Sequence, residues 1–324
     1  MRVLFKLFLL IVLLIGAWLA YGLLLPTGPS AEKFVMLRPG ASGRSIAHKL
    51  VDEGVIRNAP AFLLLHAVRR RSLKAGEYRF DHPATALETY DRLARGDIHV
   101  RTVVVPEGYN IFDIANAIEL AGLGSKQDFL KIALDPTMIR DLDPLAPSLE
   151  GFLFPDTYEF TRTQSLRDIA TAMTRRFRQE AKSIDLTGDL HRVVTMASIV
   201  EKETAAPEER PLVAGVYFNR IARRMGLDAD PSVAYASLLA GRYTGVIHAS
   251  DLQLDSQYNT YKYAGLPPGP IANPGRTALL AALHPADTDY LYFVSDNQGR
   301  HRFARTLDEH SRNVASYRRG QGAR

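Results

Sequence analysis

The run from Leu7 to Leu25, LFLLIVLLIGAWLAYGLLL, holds 19 residues without a charge. At about 1.5 Å per helical residue it is long enough to cross the roughly 30 Å of hydrocarbon in a bilayer. Arg2 and Lys6 precede it, and Trp18 and Tyr21 stand near its far end, where amphipathic rings settle at a membrane interface. The reading is a single-pass anchor, with the N-terminus in the cytoplasm and the bulk of the chain outside. The rival is a cleaved leader, whose apolar core commonly runs about 7–15 residues before a small-x-small site. This run is longer, and AWLAYGLLLP offers no such site.

The 324 residues leave room for roughly two domains at about 100–200 residues each, and 46% hydrophobic content suits packed cores rather than disorder. The formal charge of +5 is spread along the chain, which argues against a nucleic-acid partner; it fits an anionic polymer, an anionic membrane or an ordinary solvated surface. Zero cysteines exclude disulfides, thiolate metal sites, a cysteine nucleophile and a lipidated cysteine. The nine histidines are dispersed, with no His-Glu-x-x-His pair, and neither a Gly-rich phosphate loop after a strand nor a GxSxG elbow occurs. Neither a metal nor a cofactor is expected.

After the breaker-rich PTGPS of Pro26–Ser30, the chain repeats itself. FVMLRPGASGRSIAHKLVDEGVI (Phe34–Ile56) and TVVVPEGYNIFDIANAIELAGLG (Thr102–Gly124) each give an apolar strand, a Gly turn and a short amphipathic helix. One offset of 68 positions relates Gly40 to Gly108, Ile46 to Ile114, Ala47 to Ala115, Leu50 to Ile118 and Gly54 to Gly122. A second helix comes after each, over Ala61–Val68 and Asp128–Leu134. This strand-turn-helix-loop-helix pattern resembles the LysM module, which grips N-acetyl sugars; the repeats either bind glycan or only position the C-terminal domain.

The expected fold is α+β, in three parts: tip, transmembrane helix and linker over 1–30, a LysM-like repeat region over 31–146, and a mostly helical domain with a small sheet over 147–324. Within the last, SLRDIATAMTRRFRQEA reads as an amphipathic helix with Ser165 as N-cap and Leu166, Ile169, Met173 and Phe177 on one face. Further helices are expected over Glu209–Met225, in DPSVAYASLLAG and in TLDEHSRNVASYRR. YLYFV, DNQG and RHRFA read as a hairpin.

VVTMASIVEKETAAPEER (Val193–Arg210) passes from apolar and small residues straight into Glu201, Lys202 and Glu203. Val194, Ala197 and Ser198 share the face of Glu201 at helical spacing; being small, they leave room for a groove and a large ligand. Glu203 points toward Met196, Ile199 and Val200. A carboxyl beside apolar atoms loses hydration and stays protonated nearer neutral pH, as a general acid at a glycosidic oxygen must. Glycosidases commonly pair two carboxylates, but Glu208, Glu209, Asp228 and Asp230 are fixed as partners by no spacing. One glutamate suffices where the C6 hydroxyl of an N-acetylmuramyl sugar is itself the nucleophile. The bland alternative is a solvated glutamate at a helix end.

ASIVEKET, with LEGFLFPDTY, VYFNR, DPSVAY, YNTY, GLPPGPIANPG and YLYFV, resembles the motif set of the YceG-like (MltG) family of endolytic murein transglycosylases, from the anchor to the final helix. The resemblance implies a lyase anchored in the inner (cytoplasmic) membrane with its catalytic domain in the periplasm, which cleaves nascent peptidoglycan strands between MurNAc and GlcNAc, leaves 1,6-anhydro ends, and works beside cell-wall synthesis proteins. It implies Glu201 as acid and then base. It places Glu150, Asp156, Thr157, Tyr158, Ser198, Asn219, Asp230, Tyr258, Asn259 and Tyr261 along the glycan cleft. For Asn259 and Tyr261 a loop-capping role is the alternative, and for Phe152, Phe154 and Pro155 core packing is. Asp228 departs from the uncharged residue common in the family, and either raises the pKa of Glu201 or sits in solvent. The rivals are a hydrolytic muramidase and a non-catalytic glycan-binding scaffold.

Overall fold

The computed structural model describes residues 1–321 as two compact units, one of 1–101 with 159–164 and one of 102–158 with 165–321. The first unit opens with α1 (Arg2–Leu24), whose apolar side chains stand uncovered over nearly its whole length. It stops where Leu25 turns to extended backbone ahead of Pro26, the residue that cannot continue a helix. The helix is long and apolar enough for a single-pass anchor.

Then come β1 (Lys33–Leu37), α2 (Gly43–Asp52), α3 (Ala59–Arg69), β2 (Gly76–Phe80) and α4 (Ala86–Arg95). β1 and β2 pair antiparallel from Lys33↔Phe80 to Leu37↔Gly76. The two-residue period of a strand sends Val35, Leu37, Tyr78 and Phe80 to one side, where Ile46, Leu50, Phe62 and Leu93 close over them. Thr85 caps α4 in a reciprocal box with Glu88, and Gly96 ends it in the left-handed region. Buried Glu77 is neutralised by Arg101 at 3.0 Å and Arg162 at 3.2 Å.

The chain then repeats this plan. β3 (Arg101–Val105) leads to α5 (Ile111–Leu120), α6 (Lys126–Ala133) and β4 (Asp156–Phe160), and β3 pairs with β4. Gly40 and Gly108 turn at φ 77° and 80°, and Gly54 and Gly122 at 72° and 68°. Ile46, Ala47 and Leu50, like Ile114, Ala115 and Ile118, are buried. The internal repeat is therefore one βααβ motif made twice, with helix bounds within two residues of those read from the sequence.

Beyond it lie α7 (Leu166–Ser183), α8 (Leu190–Glu203), α9 (Arg210–Ala222), α10 (Asp230–Leu239), α11 (Arg276–Leu283), the antiparallel hairpin of β5 (Tyr292–Ser295) and β6 (His301–Ala304), and α12 (Leu307–Gln321). Ser165 caps α7 as expected, and Ile169, Met173 and Phe177 are buried along one side. α8 is the centre: Val194 to Val200 are all buried, with α9, α10 and α11 packed around them. The class is α+β with small two-stranded sheets. The compact units divide at 101/102, and the second repeat packs into the helical region: α6 touches α7, and Leu149 N–H bonds Ala133 O at 2.7 Å.

The glycines separate backbone strain from crowding. Gly54 is left-handed with no atom within 4 Å of an added Cβ, whereas at left-handed Gly151 that atom would lie 2.5 Å from Pro270 Cγ and 2.8 Å from Val194 Cγ1. Gly54→Ala should cost about 1 kcal/mol, and Gly151→Ala should cost more than about 3 kcal/mol as overpacking adds to the strain. Denaturant unfolding checks both; equal costs would contradict the packing described.

Candidate active site

Two carboxyls two residues apart end α8, and their surroundings differ. Glu201 Oε1 accepts from Arg210 Nη2 at 2.6 Å, and Oε2 accepts from the Gly275 N–H at 2.9 Å. The Glu201 and Arg210 side chains are only 4% and 6% exposed. Burial pushes the Glu201 carboxyl up from its ordinary range, while Gly275 and Arg210 pull it back. Arg210 in turn bonds Thr277 Oγ1 and lies 3.7 Å from Glu107, and Lys202 Nζ donates to Gly108 O at 3.2 Å. Glu201 and Arg210 thus form a buried ion pair that joins α8, α9 and the start of α11.

The groove expected over Val194, Ala197 and Ser198 is filled by the chain itself. All three residues are fully buried; Pro270 lies toward Val194 across Gly151, and Ser198 Oγ accepts from Ile271 N–H at 3.0 Å while donating to Thr195 O at 2.7 Å. Ser198 thus spends its hydroxyl on the protein's own backbone.

Glu203 faces open space instead. It lines a cavity of about 340 Å³ with Tyr217, Arg220, Asp230, Tyr261 and Tyr292. Tyr217, a buried α9 residue whose ring meets Phe293 edge-on at 5.6 Å, donates its hydroxyl to Glu203 Oε1 at 2.6 Å. Burial raises the Glu203 carboxyl to about 7; the Tyr217 bond opposes this and the nearby Asp230 charge adds to it. Asp230, first residue of α10, accepts from Tyr261 OH at 2.7 Å. Asp228 pairs with Arg220 at 3.2 Å on the wall of the same cavity.

The other expected cleft residues spread out. Asn259 is fully buried and organises a loop: its amide donates to Leu252 O at 3.0 Å and Leu254 O at 2.9 Å, and its Oδ1 accepts from Tyr261 N–H. Asn219 binds the backbone of Thr288 at 2.6 Å and Tyr290 at 3.1 Å. Tyr258 lies against Tyr235 at 5.1 Å. On β4, Asp156 pairs with Arg176 at 2.8 Å, Thr157 is exposed, and Tyr158 donates to Phe154 O at 2.6 Å. Asp230 and Tyr261 thus come together with Glu203, while Glu150, Ser198, Asn219 and Asn259 serve the interior. Tyr217 and Arg220 stand within the VYFNR motif that pointed to Asn219. Among the described residues no cluster of three or more metal-ligating side chains occurs.

A model of the YceG-like family matches residues 35–316. The chain belongs to the YceG-like family. A Bacillus subtilis (strain 168) relative, named endolytic murein transglycosylase, is 34% identical over 333 residues, 94% of this chain and 91% of the relative. A Streptococcus pneumoniae serotype 2 relative of the same name is 31% identical over 91% of this chain and 60% of its own length. The 2.6 Å crystal structure of a YceG-like protein from Listeria monocytogenes aligns at a TM-score of 0.56 and 34% identity, covering 88% of this chain and 99% of that one.

In this YceG-like chain Glu150 is a structural acid. It is fully buried, accepting from Ile111 N–H at 3.0 Å, Tyr235 OH at 2.9 Å and Asn273 Nδ2 at 2.9 Å. Burial raises it from 4.5 to about 8. Between these values the folded chain holds a proton that the unfolded chain has lost, so its contribution is complete below pH 4.5 and falls as pH rises through about 8. Unfolding free energy should therefore fall across this window, and Glu150→Gln should flatten the fall; an unchanged slope in urea titrations at several pH values would contradict it.

Proposed function

We propose that this chain is a membrane-anchored lytic transglycosylase that cuts peptidoglycan strands internally between MurNAc and GlcNAc, and that Glu203 carries the proton. The observation that carries this reading is the Glu203 cavity: a carboxyl poised near pH 7, open to a ligand, and held in one orientation by Tyr217. The names of the relatives supply the substrate, murein, and the class of reaction. Glu201, expected from the sequence to be the acid, has both oxygens engaged and is assigned to holding the frame.

Glu203 gives its proton to the glycosidic oxygen as the C1–O bond breaks. The C6 hydroxyl of the same MurNAc attacks C1, and its proton passes to the Glu203 carboxylate. The ring closes as a 1,6-anhydro sugar, no water is consumed, and the acid is restored. A group titrating near the working pH suits both halves of this cycle. Tyr261 and Asp230 line the approach and offer hydrogen bonds to sugar hydroxyls. The βααβ repeats are read as LysM-like units that hold or position the strand. With the N-terminus in the cytoplasm, α1 confines cutting to newly made glycan near the membrane, within reach of the synthesis machinery.

Glu203→Gln should lower turnover on purified sacculi by about 10²–10⁴-fold. Glu201→Gln should instead weaken folding by about 3 kcal/mol, because Arg210 is left buried without its partner, and spare most turnover in the folded fraction. The reverse pattern would return the acid role to Glu201. Activity should decline above about pH 7 as Glu203 loses its proton. Mass spectrometry should find products lighter by one water than a hydrolase would give; reducing ends would make the protein a muramidase, and intact strands would make it a binding scaffold.

A further inference from the structure

We propose that the side of α3 turned toward α1, together with the basic segment after it, lies on the membrane surface and binds anionic lipid headgroups. The proposal rests on the reading of α1 as an anchor. The end of α1 is seated on α3 at a close approach: a methyl group at Gly22 would meet Ala61 Cβ at 3.1 Å and Asn58 Cβ at 3.3 Å. Arg57 clamps the junction, with its guanidinium 5.2 Å from the Tyr21 ring and donating to Pro26 O at 3.1 Å. Thr27 and Ala84 then exchange backbone hydrogen bonds at 2.9 and 3.0 Å. α1 therefore meets this unit at a fixed place.

The residues sharing a helical side with Ala61 are three, four and seven positions on. Leu65 is buried, but Leu64 is 49% and Val68 74% exposed. Two large apolar side chains are thus uncovered on the side of α3 from which the span departs. Arg69, Arg70, Arg71 and Lys74 come next, all exposed. Arg69 and Arg71 share one carboxylate, Asp91, at 2.6 and 3.5 Å, and Arg70 has no carboxylate partner among the described residues. Apolar side chains flanked by uncompensated cations, continuous with a span whose Trp18 and Tyr21 mark the interfacial level, have the chemistry of an interfacial helix. Docked in this way, the first unit is held by lipid contacts as well as by α1.

The chain has no cysteine, so single labels are unambiguous. Leu64→Cys and Val68→Cys in the full chain, each carrying an environment-sensitive fluorophore, are placed in phosphatidylglycerol-containing vesicles with a lipid-borne quencher. Leu13→Cys within α1 and His48→Cys on the exposed side of α2 bracket the scale. Emission at 64 and 68 should be lost to a degree between these references, and Arg70→Gln with Arg71→Gln, or purely zwitterionic vesicles, should reduce that loss. If 13 is quenched while 64 and 68 match 48, the docking is wrong and the anchor stands. If 13 is unquenched, the anchor reading fails and the docking with it. Equal quenching without anionic lipid would overturn the headgroup part of the proposal.

Discussion

The second unit depends on how the irregular segment 270–275 is pinned into its interior. Ile271 donates to Ser198, Asn273 accepts from Leu153 N–H at 2.8 Å while donating to Glu150 and to Tyr109 O, and Gly275 donates to Glu201. Every second residue is thus tied down, Ile271 and Gly275 to α8 and Asn273 to the segments around Glu150 and Tyr109. Buried polar groups are tolerated only when paired, and a chain segment without helix or strand bonds must find partners among side chains or distant backbone groups. Glu150, Asn273, Ser198 and Glu201 meet that demand. The consequence is an α8 covered from Val194 to Val200, with Glu203 of its last turn lining a cavity.

Features set by local sequence were legible. The 68-residue offset, the glycines at Gly40, Gly54, Gly108 and Gly122, the Ser165 cap and the β5–β6 hairpin depend on a few neighbouring residues, and each is present. The site was less legible because helical spacing separates faces only when one of them is wet. Val194–Val200 of α8 are buried on every side, so Glu201 on the small-residue face and Glu203 on the face of Met196 and Val200 were equal candidates for burial. What distinguishes them lies far along the chain: Arg210 and Gly275 around one, and Tyr217, Asp230 and Tyr261 around the other.

The same distance in sequence explains Asn259 and Asn219. Motif membership marked both, but each spends its amide on backbone carbonyls that shape loops. A motif residue so placed acts on the site through the loops it fixes. Asn259 accepts the N–H of Tyr261, whose hydroxyl reaches Asp230 in the cavity. Asp228, the departure from the family pattern, is half-exposed, and Arg220 offsets its charge on the cavity wall beside Glu203.

A raised pKa does not by itself identify a proton carrier. Glu150 and Glu203 are both lifted by burial, to about 8 and about 7. Glu150 is surrounded by three donors and opens on no ligand space, so its proton serves to make burial tolerable. Glu203 is bonded by one hydroxyl and borders a cavity, so its proton has somewhere to go. Glu201 supplies the third case, a carboxyl whose two oxygens are each held by a donor. Burial makes an acid available at neutral pH, and access to a ligand decides whether the protein can use it.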